Sequence, residues 1–232
     1  MSSFTLKILA CALMVVDHVS IIFFPTNPIM RLIGRLVFPM FAYFIAEGYR
    51  HTKDPTSYLG RLFLFALISQ PFYTFGFNYP TVHFNVFFTL AAGLYAVYAY
   101  EKSKSYVALL LAMAGAELVH ASYGFTGVLM IFVIHKFFQD YKRMALWVFL
   151  ISILAGMHTI AVKYSDDPNF VISFSYIAKH AVSSLVQPCA VLAVPLIALY
   201  NGKRGPNAKY LFYIFYPGHL AILGLIRIFL HK

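Results

Sequence analysis

The sequence predicts an all-α protein that crosses a membrane as a polytopic helical bundle. Hydrophobic residues make up 61% of its 232 residues, and charged residues make up only 11%. About 20 apolar residues cross the hydrocarbon core of a bilayer as a helix. Nine stretches of that length, or slightly shorter, fill almost the whole chain. We therefore predict one transmembrane domain over residues 1–232, with about nine spans.

The polar connectors between apolar stretches set the boundaries of these spans. The first stretch carries Asp17 and His18 and has no small-residue cleavage motif after it, so it is a transmembrane helix and not a signal peptide. The predicted spans are Phe4–Phe24, Ile29–Gly48, Tyr58–Phe77, Phe84–Tyr100, Ser105–Ala121, Gly124–Phe138, Met144–Val162, Val182–Tyr200 and Tyr210–Leu230.

Two regions leave alternatives open. The fifth and sixth spans are short and meet at Tyr123-Gly124, so a hairpin that does not fully cross is an alternative. That alternative leaves the count at eight to ten spans. Residues 165–179 form a loop between the seventh and eighth spans, and a re-entrant loop is the alternative there.

The distribution of Lys and Arg predicts the orientation of the bundle. Basic residues concentrate in cytoplasmic connectors. Here they concentrate after spans 2, 4, 6 and 8, whereas the connectors after spans 3 and 5 hold none. We therefore expect the N-terminus to be cytoplasmic. Arg31, Arg227 and Lys232 fall on the outer side against this rule.

Several classes of function are disfavoured. The net charge is +10, but the basic residues lie in connectors and form no stripe that would bind nucleic acid. Cys11 and Cys189 lie in apolar stretches, so no disulfide framework or zinc site is implied. Glu117 and His120 have the spacing of a di-iron ligand pair, but no second copy exists, and we predict no metal site.

Polar residues inside the spans carry the functional signal, because an ionisable group in hydrocarbon is costly and usually functional. The predicted topology divides them into two groups, with His219 near mid-depth. The outer group consists of Asp17, His18, Arg31, Arg35, His83, Asn85, Glu117, His120 and His158. The inner group consists of Glu47, Arg50, Arg61, Lys203 and Arg204.

Each group has a structural alternative. Asp17 pairs with Arg35 or Arg31, and such a pair can simply hold two helices together. Residues 17 and 18 point about 100° apart on a helix, so Asp17 is not expected to contact His18 directly. His18 is either a base or nucleophile or a hydrogen-bonded histidine of the core.

Strings of residues along nearly the whole chain resemble the TraX family, whose named member is the F-pilin acetylase. The strings are Asp17-His18, Gly34-Arg35-x-x-Phe38-Pro39-x-Phe41-Ala42, Glu47-Gly48-Tyr49-x-x-Thr52, Tyr58-x-x-Arg61-Leu62, Phe65-Ala66-x-x-Ser69-Gln70-Pro71, Asn85-x-x-Phe88-Thr89, Tyr123-Gly124-x-x-Gly127-Val128, Asn201-Gly202-Lys203-Arg204-Gly205 and Lys209-Tyr210-x-Phe212-Tyr213-x-Phe215-Tyr216-Pro217-x-His219.

The resemblance implies a multi-pass protein of the bacterial cytoplasmic (inner) membrane that transfers an acetyl group from acetyl-coenzyme A to an acceptor on the outer side. The acceptor class is a pilin or peptide amino terminus, or a surface glycan or lipid. Membrane lipid, acetyl-coenzyme A and this acceptor are the expected partners, and no metal is expected.

The residues suit such a reaction in specific roles. Cations at the inner mouth match the phosphates of coenzyme A, and Arg50, Arg61, Lys203 and Arg204 are the candidates. In the outer group, His18 is the predicted base or nucleophile and Asp17 its indirect partner. Arg35 is predicted to orient the substrate and Asn85 to donate to the oxyanion. His219 is the competing catalytic histidine.

Two other functions remain open from the sequence. The intramembrane charges could form a proton relay or the path of a small solute through a transporter. Against this, the two halves of the chain show no repeated motif of the kind many transporters have. A non-catalytic assembly factor for surface structures is the third interpretation, and it would tolerate an apolar residue in place of His18.

Overall fold

The computed structural model describes residues 1–78, 83–166, 186–206 and 209–230. The described ranges are an all-α bundle, as predicted. Its helices are α1 (Ser3–Phe23), α2 (Pro28–Arg35), α3 (Val37–His51), α4 (Pro55–Phe77), α5 (Val86–Ser103), α6 (Val107–Leu118), α7 (Gly124–Lys136), α8 (Tyr141–Asp166), a 3₁₀ turn (Gln187–Leu192), α9 (Ala193–Ala198) and α10 (Lys209–Leu230).

Four segments are both long and apolar enough to cross a membrane. They are Ser3–Phe23, Pro28–His51, Tyr141–Val162 and Tyr210–Leu230. Between them, α4 contributes 23 residues and α5 contributes 18. This architecture is consistent with the prediction of about nine spans.

The second predicted span is one segment with a break at Leu36, between α2 and α3. Pro39 has no N–H, so the carbonyl of Arg35 four residues earlier loses its helical donor. At the break, Leu36 N donates instead to Ile33 O in a tighter turn, at 3.2 Å. The break separates Arg35 from the regular helix that follows.

The eighth predicted span is wrong over the part that is described. Residues 182–185 lie outside the described ranges, as does most of the 165–179 loop, although α8 continues to Asp166. From Gln187 the chain forms the 3₁₀ turn and then the six-residue α9. Pro195 removes a donor inside α9, so a regular helix through this stretch would lose a backbone hydrogen bond.

The fifth and sixth predicted spans form a hairpin of short helices. With 12 residues in α6 and 13 in α7, each rises about 18–20 Å, well short of a bilayer core of about 30 Å. The turn between them is fastened to the start of α5, because Phe84 N donates to His120 O at 3.2 Å and Ser122 N donates to Phe84 O at 2.9 Å. Both helices are thus shorter than a bilayer core, which favours the alternative of a hairpin that does not fully cross.

Two arginines that break the orientation rule have structural partners. Arg31 Nη1 forms an ion pair with Asp17 Oδ1 at 2.8 Å. Arg227 Nη2 donates to Phe75 O at 3.1 Å. Phe75 lies in the last turn of α4, whose carbonyls have no helical donor. These two charges therefore serve helix packing, and they do not report orientation.

The crossing of α1 and α2 depends on the absence of a side chain at residue 34. A Cβ atom at Gly34 would overlap the carboxyl group of Asp17. Gly34 is buried, and the Asp17 carboxyl lies directly against it. The ion pair of Asp17 with Arg31 therefore requires glycine at this position.

We predict that Gly34→Ala destabilises the protein by about 1–3 kcal/mol, because the new methyl group displaces the Asp17 carboxyl. Thermal unfolding in detergent measures the change. Gly60→Ala is the matched control, since a Cβ there meets nothing within 4 Å and helix propensity favours alanine. Equal melting temperatures for Gly34→Ala and wild type would contradict the close approach.

The loop at residues 199–206 lies against the first residues of α1. Ser3 N donates to Lys203 O at 2.8 Å, and Phe4 N donates to Arg204 O at 3.1 Å. The turn before α2 lies at the other end of α1, about 30 Å away for a helix of 21 residues. The two exposed loops therefore mark the two ends of the bundle.

This arrangement gives a test of orientation. We expect an impermeant thiol reagent to label Thr26→Cys and not Pro206→Cys in intact cells, because the Lys and Arg pattern places the 199–206 loop in the cytoplasm. Both positions are exposed. Labelling of both variants after membrane disruption is the control, and labelling of Pro206→Cys in intact cells would reverse the predicted orientation.

Candidate active site

The predicted outer group, apart from Asn85, lines one cavity of about 640 Å³. The cavity lies where α1 ends and α2 begins, and residues of α3 to α8, the 3₁₀ turn and α10 complete its wall. The residues that it shares with the predicted outer group are Asp17, His18, Arg31, Arg35, His83, Glu117, His120 and His158. The sequence therefore identified every Asp, Glu, Arg and His residue that lines the cavity.

A hydrogen bond between two histidines forms the edge of this site. His18 Nδ1 lies 2.7 Å from His219 Nε2. The two rings are 14° from parallel with centroids 4.9 Å apart, which fits a bond within the plane of the rings. The helix that carries His219 runs without a break through Pro217. His219 is therefore the direct partner of His18, and the two histidines are not competitors.

The partners of the two rings determine where their protons lie. His219 Nδ1 is 2.8 Å from the carbonyl oxygen of Phe215, which can only accept. His219 Nδ1 therefore carries a proton, and in the neutral ring Nε2 is the acceptor. His18 Nδ1 then donates to it. This leaves His18 Nε2 as the unprotonated nitrogen of a residue that lines the cavity.

Asp17 contacts the arginines of α2 and not His18. Its pair with Arg31 is the one found, while Arg35 Nη1 donates to Gln187 Oε1 at 3.2 Å. Arg35 Nε also donates to Arg31 O at 3.3 Å. The Arg35 guanidinium is thus held at the cavity by the 3₁₀ turn. Asp17 therefore has no direct contact with His18, and any support that it gives to His18 acts through its charge across the cavity.

Asn85 does not reach the cavity, and its predicted role as oxyanion donor is wrong for this structure. The residue is completely buried. Its Nδ2 donates to Ala66 O at 2.7 Å and to Gln70 Oε1 at 2.9 Å, which uses both amide hydrogens. Its Oδ1 caps α5 by accepting from Phe87 N at 3.0 Å. Asn85 joins α4 to α5 and has no donor left for a substrate.

A second acid and histidine pair lies on another wall of the cavity. Glu117 Oε1 is 3.0 Å from His158 Nε2, and Glu117 Oε2 accepts from Phe125 N at 3.2 Å. Gly124 has a φ of +47°, and a Cβ there would overlap the Glu117 carboxyl. The glycine thus allows a carboxylate from α6 to lie over the first turn of α7.

The predicted inner group lies at the other end of α1. Glu47 accepts from Tyr200 OH, and Ser3 Oγ donates to Glu47 Oε2 at 3.4 Å. Ser3 and Asp17 are separated by 14 positions of one helix, or about 21 Å. The described packing between these ends is tight, since Leu6 and Ala10 are completely buried.

The four cations predicted to bind coenzyme A all lie at this end but have different surroundings. Arg50 Nη2 donates to His135 O at 3.0 Å, and its guanidinium lies 4.5 Å from the Phe138 ring centroid. Arg61 Nε is buried and has no hydrogen-bond partner among the described residues. Lys203 and Arg204 are exposed in the 199–206 loop. This set contains two exposed loop cations and two arginines that pack against aromatic rings, Arg50 on Phe138 and Arg61 on Tyr58.

Sequence reasoning missed Gln187 as a member of the site. It was placed in an apolar span, although a polar Gln-Pro pair inside such a stretch is a signal of irregular backbone. Within the described ranges, no group of three or more His, Cys, Asp and Glu residues could hold a metal ion. Glu117 and His120 are accordingly not part of a metal cluster there.

Comparison with known proteins identifies the family to which this chain belongs. A family model described as "TraX protein" matches residues 2–227. The chain is 28% identical to "Probable fimbrial assembly protein FimC, serogroup H1" of Dichelobacter nodosus, over 99% of this chain and 97% of that protein. It is 29% identical to "Protein TraX" of Escherichia coli, over 96% of this chain and 86% of that protein. No solved structure shows a significant match.

These matches cover the helices that build both ends of the bundle. The matched residues 2–227 include His18 and His219, as well as the whole lining of the cavity. The chain belongs to the TraX protein family.

Proposed function

We propose that this protein is a membrane-embedded acetyltransferase that moves an acetyl group from acetyl-coenzyme A to an acceptor at the cavity. The acceptor is a pilin or peptide amino terminus, or a surface glycan or lipid. The observation that carries the proposal is the tautomer of His18, whose Nε2 is unprotonated beside a cavity that can hold substrate. The names of the TraX and fimbrial relatives agree with a role in surface fibres.

In the proposed reaction His18 Nε2 takes the proton of the acceptor's amino or hydroxyl group. The acceptor nitrogen or oxygen bonds to the thioester carbonyl carbon, the carbon–sulfur bond breaks, and the proton passes to the coenzyme A thiolate. Alternatively, His18 Nε2 bonds to the thioester carbonyl carbon and the coenzyme A thiolate leaves. The acceptor nitrogen or oxygen then bonds to the acetyl carbon, the bond to Nε2 breaks, and the acceptor's proton passes to the thiolate. In both routes His219 fixes the ring of His18 and stabilises the proton on Nδ1.

Arg35 has the position required to stabilise the developing oxyanion. It lines the cavity, its guanidinium is oriented by Gln187, and it remains cationic at every working pH. A preorganised cation at such a site lowers the barrier without rearrangement during the reaction. Arg35 therefore takes over the role that Asn85 cannot fill.

The proposed binding site for acetyl-coenzyme A rests on the positive charge at the end of the bundle that carries the 199–206 loop. Coenzyme A carries phosphates, and charge-assisted hydrogen bonds to Arg and Lys are the usual means of holding them. The exposed Lys203 and Arg204 supply such donors in the described part of the chain, and Arg50 and Arg61 add positive charge at the same end. We place the donor's nucleotide at this end and its thioester toward His18.

We predict that His18→Asn lowers acetyl transfer by about 10²–10⁴-fold, the usual contribution of a general base. The asparagine amide can still donate to His219, so the fold is retained while the basic nitrogen is lost. Release of free coenzyme A from acetyl-coenzyme A by purified protein in detergent, with an acceptor present, measures the change. Near-normal turnover in this variant would exclude the proposed base.

The partner histidine gives a second, graded prediction. His219→Leu removes the acceptor for His18 Nδ1, and we expect a loss of about tenfold or more in transfer rate. His219→Gln keeps an acceptor oxygen, so it should retain more activity than His219→Leu. Equal activity of the leucine variant and the wild type would mean that the hydrogen bond only packs α1 against α10.

For the donor, we predict that Lys203→Ala combined with Arg204→Ala weakens acetyl-coenzyme A binding at least about tenfold, since each charge-assisted bond contributes about 1.5–3 kcal/mol. The backbone carbonyls that bind Ser3 and Phe4 remain in place. The exposed residues Lys102 and Lys142 give the charge-matched control, because their double alanine variant removes two cations elsewhere. If the Lys203 and Arg204 double variant binds acetyl-coenzyme A with unchanged affinity, these two charges determine only the orientation of the protein in the membrane.

A further inference from the structure

We propose that the Glu117 carboxylate, positioned by His158, is the binding site for the amino group of the acceptor. The inference rests on the proposed acetyl transfer: the acceptor binds at Glu117 as an ammonium ion, loses one proton to that carboxylate to become the neutral amine, and gives a second proton to His18 Nε2 when its nitrogen bonds to the thioester carbon. Nothing in the His18 and His219 pair requires a second acid and histidine pair in the same cavity. The two pairs come from different helices, with α1 and α10 on one side and α6 and α8 on the other.

The hydrogen bonds of Glu117 leave capacity for a ligand. An ionised carboxylate offers about four acceptor positions on its two oxygens. His158 Nε2 and Phe125 N each donate to one oxygen of the Glu117 carboxylate. The side chain is 38% exposed although the residue belongs to a transmembrane bundle. An ammonium group with three N–H donors fits the remaining positions.

The state of His158 follows from the same geometry. A carboxylate oxygen only accepts, so the His158 Nε2 that faces Glu117 carries a proton. The ring of Phe125 meets the ring of His158 at 90° with centroids 5.1 Å apart, which limits its rotation. His158 therefore fixes the carboxylate in one orientation and is a positioning residue.

The charges on the cavity walls separate acceptor from donor. Arg31 and Arg35 lie near His18, while Glu117 lies on α6. A carboxylate on the cavity wall repels phosphate and attracts an ammonium group. Tyr123, whose ring stacks on Phe38, also lines the cavity, and an aromatic ring there is a favourable contact for a cation. An alcohol acceptor would gain much less from the same wall.

A purely structural role for Glu117 is the capping of α7, and this role makes a different prediction. Capping needs an acceptor oxygen at Phe125 N but no negative charge. Glu117→Gln keeps that oxygen and removes the charge. Amine binding is therefore lost in this variant if the site binds ammonium, and kept if the residue only caps the helix.

The experiment compares two probes of the same shape, phenethylamine, which is a cation at pH 7, and the neutral 2-phenylethanol. Binding to purified protein in detergent is measured by calorimetry. We expect wild type to prefer the amine by about tenfold, and Glu117→Gln to show no preference. Glu101→Gln is the matched control, because Glu101 pairs with His135 at 3.0 Å outside the cavity. An unchanged preference in Glu117→Gln overturns the proposal.

A second measurement on the wild type covers the case in which the variant does not fold. A carbodiimide joins a carboxyl group to a bound amine as an amide, and mass spectrometry locates the product. We expect phenethylamine on Glu117 ahead of the exposed Asp140. Coupling to Asp140 without Glu117 overturns the proposal. If Glu117 binds the amine while no acetyl transfer occurs in any condition, the binding site stands and the proposed enzyme activity fails.

Discussion

The arrangement of this bundle depends on one interaction: a buried carboxylate or amide side chain is paired with a side chain on another helix. Asp17 pairs with Arg31, and Asn85 pairs with Gln70. Each pairing fixes the separation and rotation of two helices. Removing one member of a buried ion pair leaves an uncompensated charge and costs about 3–5 kcal/mol. The same pairings that orient helices α1, α2, α4 and α5 therefore give the cavity its shape.

The sequence predicted which Asp, Glu, Arg and His residues line the cavity, but it did not predict the hydrogen bonds between them. Counting basic residues in connectors placed Asp17, Glu117 and His158 at one depth, and they do line one cavity. Depth along a helix follows from position in the chain, but the direction of a side chain depends on how neighbouring helices rotate. Asn85 illustrates the difference, since its depth was right and its side chain faces α4. The link between His18 and His219 was equally inaccessible, because it joins the first helix to the last.

Proline accounts for the errors in the helices themselves. A hydropathy pattern identifies an apolar stretch but not its backbone conformation. The predicted spans therefore contained Pro39 and Pro195 without any expected irregularity. Both remove a backbone donor, and each lies in the first turn of an α-helix that directly follows a tighter turn, at Leu36 and at Gln187–Leu192. The irregular backbone lies next to Arg35 and Gln187, which bond to each other at the cavity. Non-helical backbone at membrane depth is tolerated where it lines a cavity.

The hydrogen bond between His18 and His219 spans 201 positions of the chain. During synthesis α1 is made first, and α10 is made last. His18 therefore has no partner for its Nδ1 until nearly all of the protein has been inserted into the membrane, and a chain arrested before α10 carries the cavity lining without an ordered base. Contacts of such separation form late in folding. His18 Nε2 therefore becomes an oriented base only after α10 has been synthesised and has packed against α1.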